Sequence, residues 1–168
     1  LEKIVGEIVQ FPVDEYMLFG VKIRWNRVVS LGLYELWLPS FPECISVLKS
    51  LTFLDLEKNS LTSLPESIGQ LKSLTHLDLR RNKLTSLPKS ISQLTVLRYL
   101  DLQGNKLTTL PDYIGQLESL TYLNIQENGL TTLPESIGQL KSLENLSSSR
   151  NKLTTLPESI GLLKSIII

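Results

Sequence analysis

Few residues in this sequence of 168 have the chemistry of a catalytic site. Asp78 and Asp101 could form a pair of general acid and base. His76 is the single histidine, and no serine or cysteine nucleophile is expected near it. Cys44 is the single cysteine, so an internal disulfide is impossible. Beside the apolar Ile45, we expect Cys44 to be an inert, partly buried thiol.

Motifs for cofactors and metals are missing as well. The sequence has no Cys/His cluster with metal-ligand spacing, no P-loop and no G-x-G-x-x-G. Paired carboxylates need surroundings that exclude water and raise the pKa of one of them, and an open sheet offers neither. We therefore expect no cofactor, no metal and no enzyme activity.

The composition excludes further classes of function. Seventeen Lys and Arg balance seventeen Asp and Glu, so the net charge is zero. This balance gives no electrostatic basis for binding nucleic acid or a membrane surface. No apolar run approaches the roughly 20 residues that span a bilayer. The length indicates one domain, and the lack of alanine argues against a helical bundle.

An internal repeat of 23 residues positions all of these side chains. Prolines from Pro42 to Pro157 and asparagines from Asn59 to Asn151 recur at this period without a slip. Residues 166–168 look like the start of a truncated seventh unit. The six complete units, which together span 28–165, are 28–50, 51–73, 74–96, 97–119, 120–142 and 143–165.

Each unit reads L-x-x-L-x-L-x-x-N-x-L followed by x-x-L-P-x-x-I-x-x-L-x-x. This resembles the pattern of leucine-rich repeats, and the resemblance implies an α/β solenoid. In such a solenoid a parallel β-sheet lines the concave side, and 3₁₀ or irregular turns line the convex side. One unit cannot bury its leucines alone, whereas stacked neighbours can.

Each part of a unit has a predicted position. In Leu77-Asp78-Leu79 the alternation points the leucines inward and the aspartate outward. The repeated asparagine is expected to bond the loop backbone above and below it. Leu-Pro then favours an extended chain before a short turn such as ESIGQL. In that turn we expect positive φ at the recurrent glycines, a column that Ser92 interrupts: Gly69, Gly115, Gly138 and Gly161.

Residues 1–27 do not repeat, and we interpret them as an N-terminal cap. The apolar residues of 1–9 mark one face of a short amphipathic helix that ends before Pro12. Alternation from Phe19 to Trp25 predicts a strand. A tight turn near residues 25–26 would lay this strand antiparallel to 28–33 and close the edge of the sheet.

The other end of the chain breaks the repeat pattern. Ser148 replaces the second inward leucine of the strand in unit 143–165. Only residues 166–168 follow that unit, without a polar capping repeat. We expect this unit to be the least stable part of the array and to promote self-association through the uncapped end.

Outward positions of the strands form three columns on the concave face, where we expect a partner protein to bind. One column is aromatic, the next is acidic, and the third is mixed and contains a single arginine. The predicted binding residues are Tyr34, Phe53, Asp55, Glu57, His76, Asp78, Arg80, Tyr99, Asp101, Gln103, Tyr122, Asn124 and Gln126.

Each column has two interpretations. The aspartates are either consensus residues of the repeat or, because neighbouring like charges repel, a surface for a basic partner. The aromatic residues either form the centre of an interface or pack on one another as cross-strand pairs.

The unit L-T-x-L-P-x-S-I-G-x-L resembles the 23-residue class of plant intracellular Ras-group proteins. Similar units occur in animal Ras–Raf scaffold proteins, bacterial surface or secreted proteins, and arrays fused to Roc-type GTPase domains. The segment FGVKIRWNRVVSLGL resembles the stretch before the repeats of plant, bacterial and archaeal leucine-rich proteins. Ile23 stands where the plant form has a cysteine, which favours a reducing, cytoplasmic compartment.

The resemblance implies a scaffold that binds another protein on its concave face, with a small GTPase or a GTPase domain as the first partner to test. A first alternative is a GTPase-activating protein that supplies Arg80 in trans as an arginine finger. A second alternative, a secreted adhesin or receptor ectodomain, is disfavoured by the lack of cysteine-rich caps.

Overall fold

The computed structural model describes residues 20–24 and 27–163, which form one seven-stranded sheet with six short 3₁₀ helices on its other side. The strands are β1 (Val21–Arg24), β2 (Arg27–Gly32), β3 (Phe53–Asp55), β4 (His76–Asp78), β5 (Tyr99–Asp101), β6 (Tyr122–Asn124) and β7 (Asn145–Ser147). The 3₁₀ helices are η1 (Glu43–Val47), η2 (Glu66–Gln70), η3 (Lys89–Gln93), η4 (Asp112–Gln116), η5 (Glu135–Gln139) and η6 (Glu158–Leu162).

Strands β2 to β7 are parallel and pair at a register of one repeat. Leu77, for example, lies opposite Leu54 on one side and Leu100 on the other. All three leucines are fully buried, because their side chains point away from the concave face into the core. The predicted leucine-rich repeat solenoid is confirmed.

Strand β1 closes the first edge of this sheet. It pairs antiparallel with β2, with Val21 opposite Leu31. Gly20 extends the pairing, because its carbonyl oxygen accepts the N–H of Gly32 at 2.9 Å. The strand expected before the first repeat is therefore present at Val21–Arg24. The predicted N-terminal helix, the turn at residues 25–26 and the start of a seventh unit lie outside the described residues.

The convex side consists of the 3₁₀ helices, each of which begins after a proline in extended conformation. Pro65 has φ −71° and ψ 151°, and its carbonyl oxygen accepts the N–H of Ile68, as expected for an i to i+3 turn. A glutamate links the helices at three of the five junctions, η1 to η2, η2 to η3 and η5 to η6. The Glu66 carboxylate accepts the N–H groups of Lys89 and Ser90 at 3.2 and 3.0 Å, which satisfies the first donors of η3.

The predicted asparagine ladder forms, but each side chain bonds the backbone of its own unit and of the preceding unit, and not that of the units on both sides. The Oδ1 atom of Asn105 accepts the N–H of Leu84 at 3.0 Å. Its Nδ2 atom donates to the carbonyl oxygens of Leu79 and Leu102, each at 2.9 Å. One side chain thus satisfies three buried backbone groups, which belong to its own unit and to the preceding one. The same pattern recurs at Asn59, Asn82, Asn128 and Asn151.

The prediction of positive φ at the turn glycines is wrong. Within the described residues, Gly104 is the one glycine with positive φ. Gly69, Gly115 and Gly138 are needed for another reason, since a Cβ atom there would collide with the backbone of the next 3₁₀ helix. At Gly69, for instance, the Cβ would strike the carbonyl oxygen of Ser90. These glycines allow successive convex turns to approach closely.

Left-handed backbone occurs instead just before the asparagine ladder. Lys58, Arg81, Glu127 and Arg150 have φ between 51° and 57°, and Gly104, in the same column, has φ 69°. Each lies where the chain leaves its strand. The side chains of this column therefore emerge beside the concave face.

The last unit is more exposed than the others. Leu156 is 48% exposed and Leu162 is 60% exposed. Ile160, whose counterparts in the preceding units are fully buried, is only partly buried. Ser148 occupies the position of an inward leucine, as the sequence shows, and is also partly buried. Self-association through this end stays a prediction.

Candidate functional site

Four rings form a continuous ladder across the centre of the concave face. Phe53, His76, Tyr99 and Tyr122 begin strands β3 to β6. Their consecutive ring centroids are 4.4, 3.9 and 4.5 Å apart, with interplanar angles of 15°, 6° and 2°. In-register parallel strands impose this stacking, because their spacing of about 4.8 Å is close to the distance between the centroids of two stacked rings.

The rings thus pack on one another, which is one of the two interpretations of this column. All four are half-buried. His76 and Tyr99 each stack on two neighbouring rings, whereas Phe53 and Tyr122, at the ends of the ladder, each stack on one. Burial lowers the pKa of His76 and, with the nearby Asp101 carboxylate, raises the pKa of Tyr99. His76 and Tyr99 are therefore uncharged near neutral pH.

The acidic column next to the ladder has a structural role. The Oδ1 atoms of Asp55, Asp78 and Asp101 accept the backbone N–H two residues ahead at 2.9 to 3.0 Å. Asn124 does the same at 3.1 Å, so this turn requires an oxygen acceptor and no charge. Asp78 and Asp101 are only 4% and 2% exposed. The interpretation of these residues as repeat consensus therefore has a physical basis.

Arg80 lies at the centre of the acidic residues. Its Nη2 atom is 2.6 Å from Asp78 Oδ2 and 2.9 Å from Glu57 Oε2, and its Nε atom is 3.8 Å from Asp101 Oδ2. These carboxylates hold the guanidinium against the sheet and raise the pKa of Arg80, with the hydrogen bonds to Asp78 as the main cause. An arginine finger would have to break all three contacts, so this geometry does not favour the GTPase-activating alternative.

Negative charge on the concave face exceeds the positive charge that Arg80 supplies. Burial is the main cause that raises the pKa of Asp55, Glu57 and Asp101, and the Asp78 carboxylate raises all three further. Arg81 is the other nearby cation, with its Nη1 atom 4.0 Å from Glu57 Oε1. The acidic residues are thus only partly compensated within the chain.

The remaining predicted residues surround Arg80 and the acidic column. Some of them contact residues that the sequence did not predict as part of the site. The hydroxyl of Tyr34 accepts a hydrogen bond from the Lys58 ammonium, which also lies over the Tyr34 ring at 4.6 Å. Gln103 donates to Glu127 at 3.2 Å. Lys58 and Glu127 belong to the left-handed column, and Gly104 in that column was the signal that could have indicated it.

Among the predicted residues, the amide of Asn124 connects the acidic column to its neighbour. Its Nδ2 atom donates to Asp101 Oδ2 at 3.1 Å and lies 3.4 Å from Gln103 Oε1. The backbone N–H of Gln126 is held by Asn124 Oδ1. All thirteen predicted residues therefore lie on one continuous surface, the concave face from β2 to β6.

Cys44 departs from the prediction. It lies in η1 with its side chain exposed, because the next residue, Ile45, points inward in its place. Over the described residues, no group of three or more His, Cys, Asp or Glu side chains is arranged to hold a metal ion. In the same part of the chain, no helix has the length and apolar character to cross a membrane.

The repeat pattern and this sheet match a known family. A family model described as a leucine-rich repeat region matches residues 22–120 and 89–167. The chain therefore belongs to the leucine-rich repeat family, whose fold generally mediates protein–protein interaction. Members and structural neighbours are typically binding scaffolds without enzyme activity. No curated protein sequence matches the chain.

Several solved structures are similar. A leucine-rich repeat protein of Leptospira interrogans is 45% identical with a TM-score of 0.76, and the match covers 77% of this chain and 33% of that one. The structure of PEPR1-AtPEP1 is 32% identical with a TM-score of 0.77, covering 90% and 22%. The ectodomain of the Arabidopsis thaliana receptor kinase GASSHO1/SCHENGEN3, in complex with CASPARIAN STRIP INTEGRITY FACTOR 2, is 33% identical with a TM-score of 0.66, covering 83% and 16%. The chain thus spans a third or less of these proteins.

Proposed function

We propose that this chain is a protein-interaction scaffold that binds a partner protein on its concave face, without catalysing a reaction. The observation that supports the proposal is the ladder of Phe53, His76, Tyr99 and Tyr122, whose ring edges line the centre of that face. Aromatic side chains are enriched at interface centres and dominate their energetics. Two of the similar structures pair a leucine-rich repeat protein with a second component, AtPEP1 or CASPARIAN STRIP INTEGRITY FACTOR 2.

The ladder is also suited to binding because it costs little to order. Each ring is already fixed by its stacked neighbours, so a partner does not have to restrict its rotamers. Arg80, held by Asp78 and Glu57, is fixed in the same way. A rigid surface of this kind favours a partner that adapts its own shape.

The identity of the partner is proposed only from the resemblance of the repeat class. A small GTPase, or a GTPase domain in the same polypeptide, is the first candidate, with a cytoplasmic location to match. Purified GTPases in their GDP- and GTP-bound forms should be tested before a wider capture experiment. Failure with GTPases removes that candidate and leaves the scaffold proposal to be tested with captured partners.

Hydrogen exchange, measured with and without a verified partner, tests the proposal. We expect added protection at amides of β3 to β6 and beside them, and no change in the turns η2 to η5. The convex turns serve as an internal control, because they belong to the same units. Protection of the convex turns with an unchanged concave face would overturn the assignment of the site.

A further inference from the structure

The aromatic ladder has an uncovered end at Phe53. One face of this ring stacks on His76 at 4.4 Å. On the other side, the residue in register on β2 is Ser30, which is too small to cover a phenyl ring. Over the described residues, no other aromatic ring stacks on Phe53. With respect to the described residues, the outer face of the ring is therefore available to a planar group from a ligand.

The acidic column has a gap at the same place. Gly32 on β2 is in register with Asp55 on β3, so no side chain lies beside this carboxylate on that side. Gly32 does not have positive φ, and a Cβ atom there would meet only the backbone of Gly20 at 3.5 and 3.9 Å, which is ordinary contact. The backbone therefore does not require a glycine at this position. Its effect is to leave a notch between β2 and β3.

Asp55 also lacks the cation that its neighbours have. Its Oδ1 atom accepts the N–H of Glu57 at 2.9 Å. Within the described part of the chain, no basic nitrogen lies within 4.0 Å of this carboxylate. Arg80 contacts Asp78 and Glu57, and Lys58 contacts Tyr34 and Glu35. Burial is the main cause that raises the pKa of Asp55, and the Asp78 carboxylate raises it further, whereas the backbone N–H of Glu57 and the Arg80 guanidinium lower it.

We propose that Ser30, Gly32, Phe53 and Asp55 form a notch that receives an arginine side chain of the protein partner. This rests on the proposed function and names one chemical feature of the partner. Phe53 and Asp55 point to the same side of one strand, about 6.6 Å apart along the chain. An arginine lying along β3 reaches both, with its stem or guanidinium against the ring and its N–H groups on the carboxylate. The planar guanidinium makes both contacts, whereas a lysine ammonium is a compact, strongly hydrated charge.

A random peptide library displayed on phage is the probe for this notch. It is selected in parallel on the wild-type chain, on Asp55→Asn and on Gly32→Val. Asparagine keeps the acceptor for the Glu57 N–H, as the natural Asn124 does in the same column. Asp112→Asn removes one charge from the convex side, and Ser147→Val places a valine in the same column at its far end. Thermal unfolding verifies that each variant folds.

We expect arginine to be enriched about threefold or more in peptides selected on the wild type and on both controls. The enrichment should disappear on Asp55→Asn and on Gly32→Val. A wild-type peptide should lose roughly tenfold in affinity for Asp55→Asn. If Gly32→Val does not fold, the Asp55→Asn arm decides alone. If arginine is not enriched on the wild type, or if its enrichment persists on Asp55→Asn, the proposed arginine notch is wrong.

The same peptides separate this inference from the proposed function. Each is tested on the double variant Tyr99→Ala/Tyr122→Ala. Peptides that lose binding to this variant but have no preference for arginine refute the notch and support the ladder. Peptides whose binding needs Asp55 but not the two tyrosines support the notch and refute the ladder as the centre of the site.

Discussion

The middle units, residues 51–142, and the last unit, residues 143–165, have almost the same sequence in very different surroundings. Leu133 is 6% exposed, whereas the equivalent Leu156 is 48% exposed. Ile137 is fully buried, whereas Ile160 is only partly buried. The identical residue is thus buried or exposed according to whether another described unit packs against it. Stability in this fold belongs to the junctions between units more than to the units themselves.

Substitutions in the asparagine ladder should give the largest difference in stability loss between the middle units and the last unit. Asn105→Ala removes the partners of three buried backbone groups, and we expect it to lower the free energy of unfolding by about 3 kcal/mol or more. Asn151→Ala should cost only about 1 kcal/mol, because Asn151 itself is partly exposed and water can take the place of its side chain. Urea unfolding of both variants measures the difference. Equal losses would mean that both junctions are equally important.

Alanine substitutions in the glycine column should give the next largest difference in stability loss between the middle units and the last unit. At Gly115 a methyl group collides with the backbone of Ser136, and we expect Gly115→Ala to cost about 2 kcal/mol. At Gly161 no described atom lies within 4 Å of the added Cβ, so Gly161→Ala should change stability by at most about 0.5 kcal/mol. Thermal unfolding of the two alanine variants is the test. A large loss at Gly161 would reveal a packed junction beyond the last unit.

Replacing Ser148 by the leucine of the repeat consensus should make the last unit more like the middle units in stability. Ser148 occupies the column of Leu102 and Ile125, which are fully buried. Ser148→Leu should stabilise the chain by about 1 to 2 kcal/mol, since it buries apolar surface under β7. The melting temperature should rise by a few degrees, about 3 °C per kcal/mol. A lower melting temperature would show that the position cannot accept a leucine.

The acidic column should give the smallest effect, and this effect depends on pH. Burial raises the pKa of Asp55 in the folded chain, so ionisation of this group weakens folding as the pH rises from 3.8 to the raised pKa. Asp55→Asn should therefore be slightly more stable than the wild type at pH 7. The advantage should shrink as the pH falls and vanish below 3.8. Unfolding curves of Asp55→Asn and the wild type, measured across this pH range, are the test. A stability difference that does not change with pH would contradict the assignment to the ionisation of Asp55.

Much of the fold follows from the period of the sequence alone. A repeat of 23 residues determines which leucines pair, and it places each asparagine beside the loop of the preceding unit. The aromatic column was predictable for the same reason, since residues in one column of a parallel sheet must be adjacent. The spacing of the residues therefore predicts the register of the parallel strands.

Local conformation and charge pairing were not contained in that spacing. The need for glycine at position 69 depends on how closely η3 approaches η2, which only the stacked array determines. The burial of Asp101 and the position of Arg80 depend on side-chain packing across three strands. A column alignment identifies these residues as neighbours. It does not tell whether a carboxylate faces a partner or caps its own turn.

The affinity of a purified, verified partner for Tyr99→Ala/Tyr122→Ala tests the central claim most directly. We expect calorimetry to show a loss of about 2 kcal/mol or more relative to the wild type, which is roughly 30-fold in Kd. Tyr113→Phe, on the convex turn η4, is the matched control and should bind as the wild type does. Equal affinity of the wild type and the folded double variant would contradict the claim that the concave ladder binds the partner.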